Sequence, residues 1–238
     1  MSQAYSPEQI RRLAELIARE LAPDAGAGSP PPSAGGGVFS SLDDAVAAAA
    51  VAFKALDVLG LEKRYEVIES MRDAMRQNAR PLAALAVEET GLGRVEDKVQ
   101  KILLVASKTP GPEELTPTAT TGDHGLALIE PAPFGVIGAI TPVTNPSSTI
   151  ICNSIGMVAA GNTVVFNPHP SARRVSQETV RLLAAAIVKA GGPPNTITCT
   201  AEPTIQSAGE LMKHPRVRLL VVTGGGAVVA AAMNSGKR

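Results

Sequence analysis

The amino-acid sequence predicts an α/β protein in which a helical lead-in is followed by a doubly wound, mostly parallel sheet. Three observations carry this. Four short apolar runs, GVIGAI (135–140), NTVVF (162–166), NTITCT (195–200) and RLLVV (218–222), have the length of buried strands. The segments between them read as helices of about ten residues or more, the length that a parallel crossover needs. Ahead of them, 41–108 follows a helical period throughout.

Taken in order, Ile10, Leu13, Ala14, Ile17 and Leu21 recur at helical spacing, opposite Glu8, Arg11, Arg12, Glu15, Arg19 and Glu20. Ser6 followed by Pro7 is a helix start. Residues 1–22 are therefore expected to form an amphipathic helix. PDAGAGSPPPSAGGG, 23–37, is mostly Pro and Gly and reads as a flexible linker, leaving 38–238 as the main domain. Within that domain Ser41 with Asp44 resembles a capping box, and Gly60 is the expected stop of the helix it opens. A second helix spans EKRYEVIESMRDAMRQNA, Pro81 restarts one that runs to Gly91, and VEDKVQKILLVASK is another. Pro110, Pro112 and Pro117 then break the pattern. Between and after the four strands, helices are expected over 146–160, 172–190 and 204–213, and from Ala227 onward. No helix-ending signal is read before Arg238, so the domain is expected to be truncated.

Composition excludes several classes. The formal net charge is zero and there are only six aromatics, so neither the electrostatic footprint nor the stacking platforms of a nucleic-acid binder are present. No apolar run is long enough to span a membrane, and 1–13 lacks the apolar block of a secretory signal. Two Cys cannot build a disulfide framework or a four-thiolate zinc site. A soluble, cytoplasmic protein is the expectation. Phosphate loops of the Gly-x-x-x-x-Gly-Lys type, Gly-x-Gly-x-x-Gly, Gly-x-Ser-x-Gly and His-Glu-x-x-His are all absent. Glu88-Glu89 reads as solvated surface, and Cys152 and Cys199 as small buried hydrophobes.

The positive signals lie at strand ends. Thr223-Gly224-Gly225-Gly226 follows one strand and precedes a helix, where free N–H groups suit a pyrophosphate; a tight turn without a ligand reads equally well. TPVTNPSST, 141–149, presents Thr144 and Asn145 as neutral donors able to polarise a carbonyl oxygen, or else simply caps the next helix through Asn145 or Ser147. Asn167-Pro168-His169-Pro170 closes a third strand at the same edge. Three such ends together suggest a nucleotide-sized cleft.

APFGVIGAITPVTNPSSTIICNSIGMVAAGNTVVFNPHPSA, with EETGLGR before it and LLVVTGGG after it, resembles the aldehyde dehydrogenase superfamily over 39–238. The Thr-Asn-Pro and Asn-Pro-His-Pro variants resemble its CoA-acylating branch, the propionaldehyde and acetaldehyde dehydrogenases of bacterial microcompartments. The resemblance implies an NAD-binding domain in which Thr141, Pro142, Val143 and Thr144 line the nicotinamide side. Asn167 stands where the hydrolytic branch has a Lys on the adenosine ribose, Gly224 and Gly225 face the pyrophosphate with Val228 packing near it, and His169 and Thr223 are further cofactor-binding residues. Thr144 and Asn145 compete for the oxyanion-binding position. The implied reaction is attack of a Cys thiolate on a short-chain aldehyde, hydride transfer to NAD, and acyl transfer to coenzyme A. In the family that nucleophile lies downstream of the Gly-rich turn, and neither Cys here matches it. The resemblance further implies a homo-oligomer in a microcompartment lumen, with residues 5–22 as an encapsulation peptide for shell or core proteins. No nucleic acid, membrane or metal partner is implied. A non-catalytic assembly module with the same packaging helix is the alternative, as is a subunit-docking arm for the helix itself.

Overall fold

The computed structural model describes Glu8 and residues 36–237. The amphipathic helix and nearly all of the linker lie outside these residues. The linker's last two residues, however, already belong to the fold. Gly36 and Gly37 have φ of +60° and +84°, and the Gly37 carbonyl accepts from the Cys199 N–H at 2.9 Å. A Cβ on Gly37 would stand 2.5 Å from the Ile197 carbonyl oxygen, so glycine alone lets the chain enter the sheet here. The strand that follows, β1 (Val38–Phe39), pairs in parallel with residues Cys199 and Thr200.

The lead-in is four helices: α1 (Leu42–Asp57), α2 (Leu61–Gln77), α3 (Ala79–Thr90) and α4 (Val95–Lys108). Ser41 Oγ accepts from the Asp44 N–H, as expected of an N-cap. Gly60 is not the stop of α1. That helix ends at Asp57, and Gly60, in an extended conformation, is the N-cap of α2. Pro81 sits within the first turn of α3, where its missing N–H would have had no helical partner. Gly91 ends α3 in the left-handed conformation. Next comes an antiparallel hairpin, β2 (Thr118–Gly122) with β3 (Gly125–Ile129), both exposed along their length. The sequence reading placed no strand here, because the hairpin has no buried face to impose a pattern.

The main sheet then alternates as predicted: β4 (Val136–Thr141), α5 (Pro146–Ala159), β5 (Thr163–Pro168), α6 (Arg173–Lys189), β6 (Ile197–Thr200), α7 (Ile205–Lys213), β7 (Val217–Val222) and α8 (Gly226–Met233). Its order is β1-β6-β5-β4-β7, all parallel. Alternate residues feed two cores. Ile137, Ala139, Val164 and Phe166 join Val67, Met71, Ile151 and Leu183 of α2, α5 and α6, whereas Val136, Ile140 and Val165 join Ala45, Leu211 and Ala232 of α1, α7 and α8. Burial on both faces is why β4 and β5 read as apolar runs, whereas β6 alternates with Thr and β7 is only half-buried from Leu219 on. The last helix does stop: α8 ends at Met233, with Asn234 as its C-cap and Gly236 at φ +77°. The reading of a helix still running at the chain end is corrected by this Asn-Ser-Gly signal.

Two side chains also depart from expectation. Cys152 is exposed on α5, while Cys199 is buried in β6. Glu89 is not merely solvated, since its two carboxylate oxygens accept from the N–H groups of Arg174 and Val175 at 2.7 and 2.8 Å. It thereby caps the start of α6 from the end of α3, where negative charge also suits the helix dipole. Neighbouring Glu88 makes only an exposed ion pair with Arg174. Glu89→Ala is expected to cost about 1–2 kcal/mol in urea denaturation, against less than about 0.5 kcal/mol for Glu88→Ala. Equal losses would show that the cap contributes nothing.

Candidate functional site

From β4 the chain winds through β5 to β6, then crosses back to place β7 on the other side of β4. The crossovers into β5 and into β7 thus run in opposite directions, which makes the carboxyl ends of β4 and β7 the switch point at which a ligand crevice is expected. Two predicted loops meet there: Pro142–Asn145 after β4 and Thr223–Gly225 after β7. They are tied together by the Thr223 N–H, which donates to the Ile140 carbonyl at 3.0 Å.

On the β7 side the turn is open. Gly225 is the N-cap of α8, and a Cβ on Gly225 or Gly226 would meet nothing within 4 Å. A Cβ on Gly224 would stand 2.6 Å from Val228 Cγ1, so Gly224 lets half-buried Val228 pack beneath the turn. The first N–H groups of α8 have no helical acceptors and carry the positive end of its dipole. On the β4 side Thr141 is 2% exposed, and its Oγ1 has no partner among the described residues. Pro142 and Val143 are half-buried and Thr144 is exposed. Asn145 stands at the N-cap position of α5 but makes no capping bond. Its Oδ1 instead accepts from Lys101 Nζ at 3.2 Å.

The third strand end behaves differently. Asn167 is 2% exposed, and its amide is committed to the fold. Its Oδ1 accepts from Thr200 Oγ1 at 3.2 Å and Ser207 Oγ at 2.6 Å, and its Nδ2 donates to the Thr204 carbonyl at 3.4 Å. The side chain therefore pins the start of α7 to β5 and β6 rather than facing a ligand. His169 is exposed, with Nδ1 accepting from the Ser171 N–H at 3.1 Å.

Sequence reasoning missed Lys98 and Lys101 of α4. Lys98 Nζ donates to the Thr144 carbonyl at 3.0 Å. Burial holds its ammonium below the usual lysine range, and the charge of Lys101 adds to that. A signal did exist, because Lys98 falls in register with Ile102 and Ala106, the other buried residues of α4. Burial pushes the Cys199 thiol up to about 12, so it is inert at neutral pH. Among the described residues no group of three or more His, Cys, Asp or Glu could hold a metal ion. Open glycines and free N–H groups suit a dinucleotide's pyrophosphate, and neutral hydroxyls suit the edge of its ring.

The sequence pattern of the Aldehyde dehydrogenase family matches residues 39–238. The chain is 54% identical over 195 residues to the acetaldehyde dehydrogenase (acetylating) EutE of Escherichia coli, covering 82% of this chain and 41% of that protein. It is 42% identical over 212 residues to the propanal dehydrogenase (CoA-propanoylating) of Salmonella typhimurium, covering 89% and 46%. The Rhodopseudomonas palustris propionaldehyde dehydrogenase, solved with bound CoA and an acylated cysteine, superimposes with a TM-score of 0.83 at 47% identity, over 85% of this chain and 46% of that one. A cysteine-to-alanine mutant of the propionaldehyde dehydrogenase from the Clostridium phytofermentans fucose utilisation bacterial microcompartment gives 0.84 at 49%, over 85% and 47%. The chain thus spans less than half the length of these relatives. It belongs to the aldehyde dehydrogenase family, in the CoA-acylating acetaldehyde and propanal dehydrogenase branch.

Proposed function

We propose that these residues form the cofactor-binding part of an enzyme that oxidises a short-chain aldehyde to its acyl-CoA with NAD, inside a bacterial microcompartment. The observation that carries the proposal is the meeting of the open Thr223–Gly226 turn with the Thr141–Asn145 loop at the switch point. Thr223, Gly224 and Gly225 would hold the pyrophosphate by backbone N–H groups, with Val228 packed beneath. Thr141, Pro142, Val143 and Thr144 would line the nicotinamide side, where the unpartnered Thr141 hydroxyl is a donor in waiting. The Thr144 hydroxyl and Asn145 amide are the neutral donors placed to hold a substrate carbonyl oxygen. NAD supplies the hydride acceptor, and coenzyme A supplies the thiol that takes the acyl group. His169 borders the adenosine side, whereas Asn167 shapes it only through α7.

Neither cysteine is the nucleophile in this reading. Cys199 is buried with its thiol pushed up, and Cys152 lies on the second turn of α5 rather than on either loop. Thiol titration of the native chain is expected to modify Cys152 and to reach Cys199 only after unfolding. Cys152→Ser should retain aldehyde-dependent NADH formation in a full-length protein that contains these residues; abolished turnover would make Cys152 the nucleophile instead.

Gly225 has an ordinary φ of −72° and open space at its Cβ, so a side chain there burdens the ligand and not the fold. Gly225→Val should raise the Michaelis constant for NAD about tenfold or more, a loss of about 1.4 kcal/mol, with the melting temperature lowered by no more than the few degrees that a Val at an N-cap costs. An unchanged constant would remove the turn from the site. The microcompartment assignment rests on residues 5–22 acting as an encapsulation peptide, and on the microcompartment origin of a solved relative. Deleting residues 1–35, which spares Gly36 and Gly37, should preserve solution activity and abolish co-purification with shell proteins. Activity lost with the deletion would favour a subunit-docking arm.

A further inference from the structure

Lys98 is a buried cation that the proposed chemistry has not yet used. It is 7% exposed, lies on the core side of α4, and no carboxylate among the described residues pairs with it. An apolar side chain in register with Ile102 would pack α4 at less cost, because an ammonium without a counter-ion is disfavoured in a protein interior. The charge is explained by what it holds, the Thr144 carbonyl at 3.0 Å. The Gly91–Arg94 turn is shaped to let it through. Gly93 has φ +79°, and a Cβ there would stand 3.3 Å from Lys98 Cε. One turn further along α4, Lys101 takes the Oδ1 of Asn145, which leaves the Nδ2 as that amide's free donor. The hollow between α4 and the loop, lined by Lys98, Lys101, Asn145 and Ser147, is about 10 Å³ and admits about one water.

We propose that Lys98 is a positioning residue: its buried ammonium fixes the Thr144 carbonyl and so aims the Thr144 hydroxyl and the Asn145 amide at the place where a substrate carbonyl oxygen is held. This rests on the cofactor-site reading above and deepens it. Lys101 sets the sense of the Asn145 amide and is the weaker, exposed half of the clamp.

Lys98→Met keeps the stem and removes the charge. In a full-length protein that contains these residues it should lower kcat for aldehyde oxidation about tenfold or more, with the Michaelis constant for NAD moving less than about twofold. Lys98→Arg, which keeps a cationic donor, should recover part of the loss. Added to Asn145→Ala or Thr144→Ala, Lys98→Met should cost little more, since it acts through the same donors. In the 238-residue chain itself, amide hydrogen exchange at Thr144 and Asn145 should rise in Lys98→Met, while that at Gly225 stays unchanged. An unchanged kcat overturns the proposal, as do unchanged exchange, fully additive losses, or kcat and NAD affinity falling together. Failure of the cofactor reading is separately visible, as wild-type protein that does not bind NAD while its loop exchange still responds to Lys98→Met.

Discussion

β4 is hydrogen-bonded in parallel to β5 on one side and to β7 on the other, and the chain reaches those neighbours by crossovers leading in opposite directions. Two loops from distant parts of the sequence are thereby left side by side with no helix between them. Ile140 binds them directly: its position in β4 pairs with Val222 of β7, and its carbonyl takes the Thr223 N–H. The openness of the Gly-rich turn and the placement of Thr141 follow from that register. A one-residue slip of β7 would exchange Leu219 and Val221, packed on one core, with Leu220 and Val222, packed on the other, and would shift the turn by a residue along β4.

Around this edge the fold separates rigid from accessible parts. Asn167 closes a buried hydrogen-bond network among β5, β6 and the start of α7, so the third strand end is stiff and its amide satisfied. Glu89 fixes the start of α6 from α3 in a comparable way. The Thr223–Gly226 turn has no such side-chain anchors, and its glycines leave backbone N–H groups accessible. The two Lys contacts place α4, part of the lead-in, against the β4 loop of the candidate site. The helical lead-in is thus more than a wrapping for the sheet.

Much of the fold was legible because doubly buried strands read as apolar runs and Pro, Gly and Asn punctuate the helices between them. Thr204, for example, caps α7 through a full capping box, and Gly91 ends α3 where its left-handed φ requires it. What was not legible depends on partners distant in sequence. β1 is two residues long and exists because residues Cys199 and Thr200 pair with it. The hairpin's five-residue strands bury nothing that would set a period. Glu89 looked like a surface acid because the N–H groups it caps lie 85 and 86 positions away. The loops at the candidate site were found from their place at strand ends. The inward turn of Asn167 was not, since Thr200 and Ser207 converge on it only in the folded chain.

The same contrast bears on how this edge can attract an anion. With equal numbers of acidic and basic residues, the chain has no net field to draw a dinucleotide in from a distance. Several Arg side chains are already matched: Arg173 with Glu202, Arg174 with Glu88, and Arg80 with Glu96. Attraction must then come from short-range, oriented donors, namely the free N–H groups at the start of α8 and the neutral hydroxyls of β4 and its loop. Such donors weaken steeply with misalignment, so this site depends on geometry where a basic patch would depend on charge. That dependence gives the buried ammonium of Lys98 its importance. It contributes no long-range steering, yet it holds the Thr144 carbonyl, and with it the direction of the donors beside it.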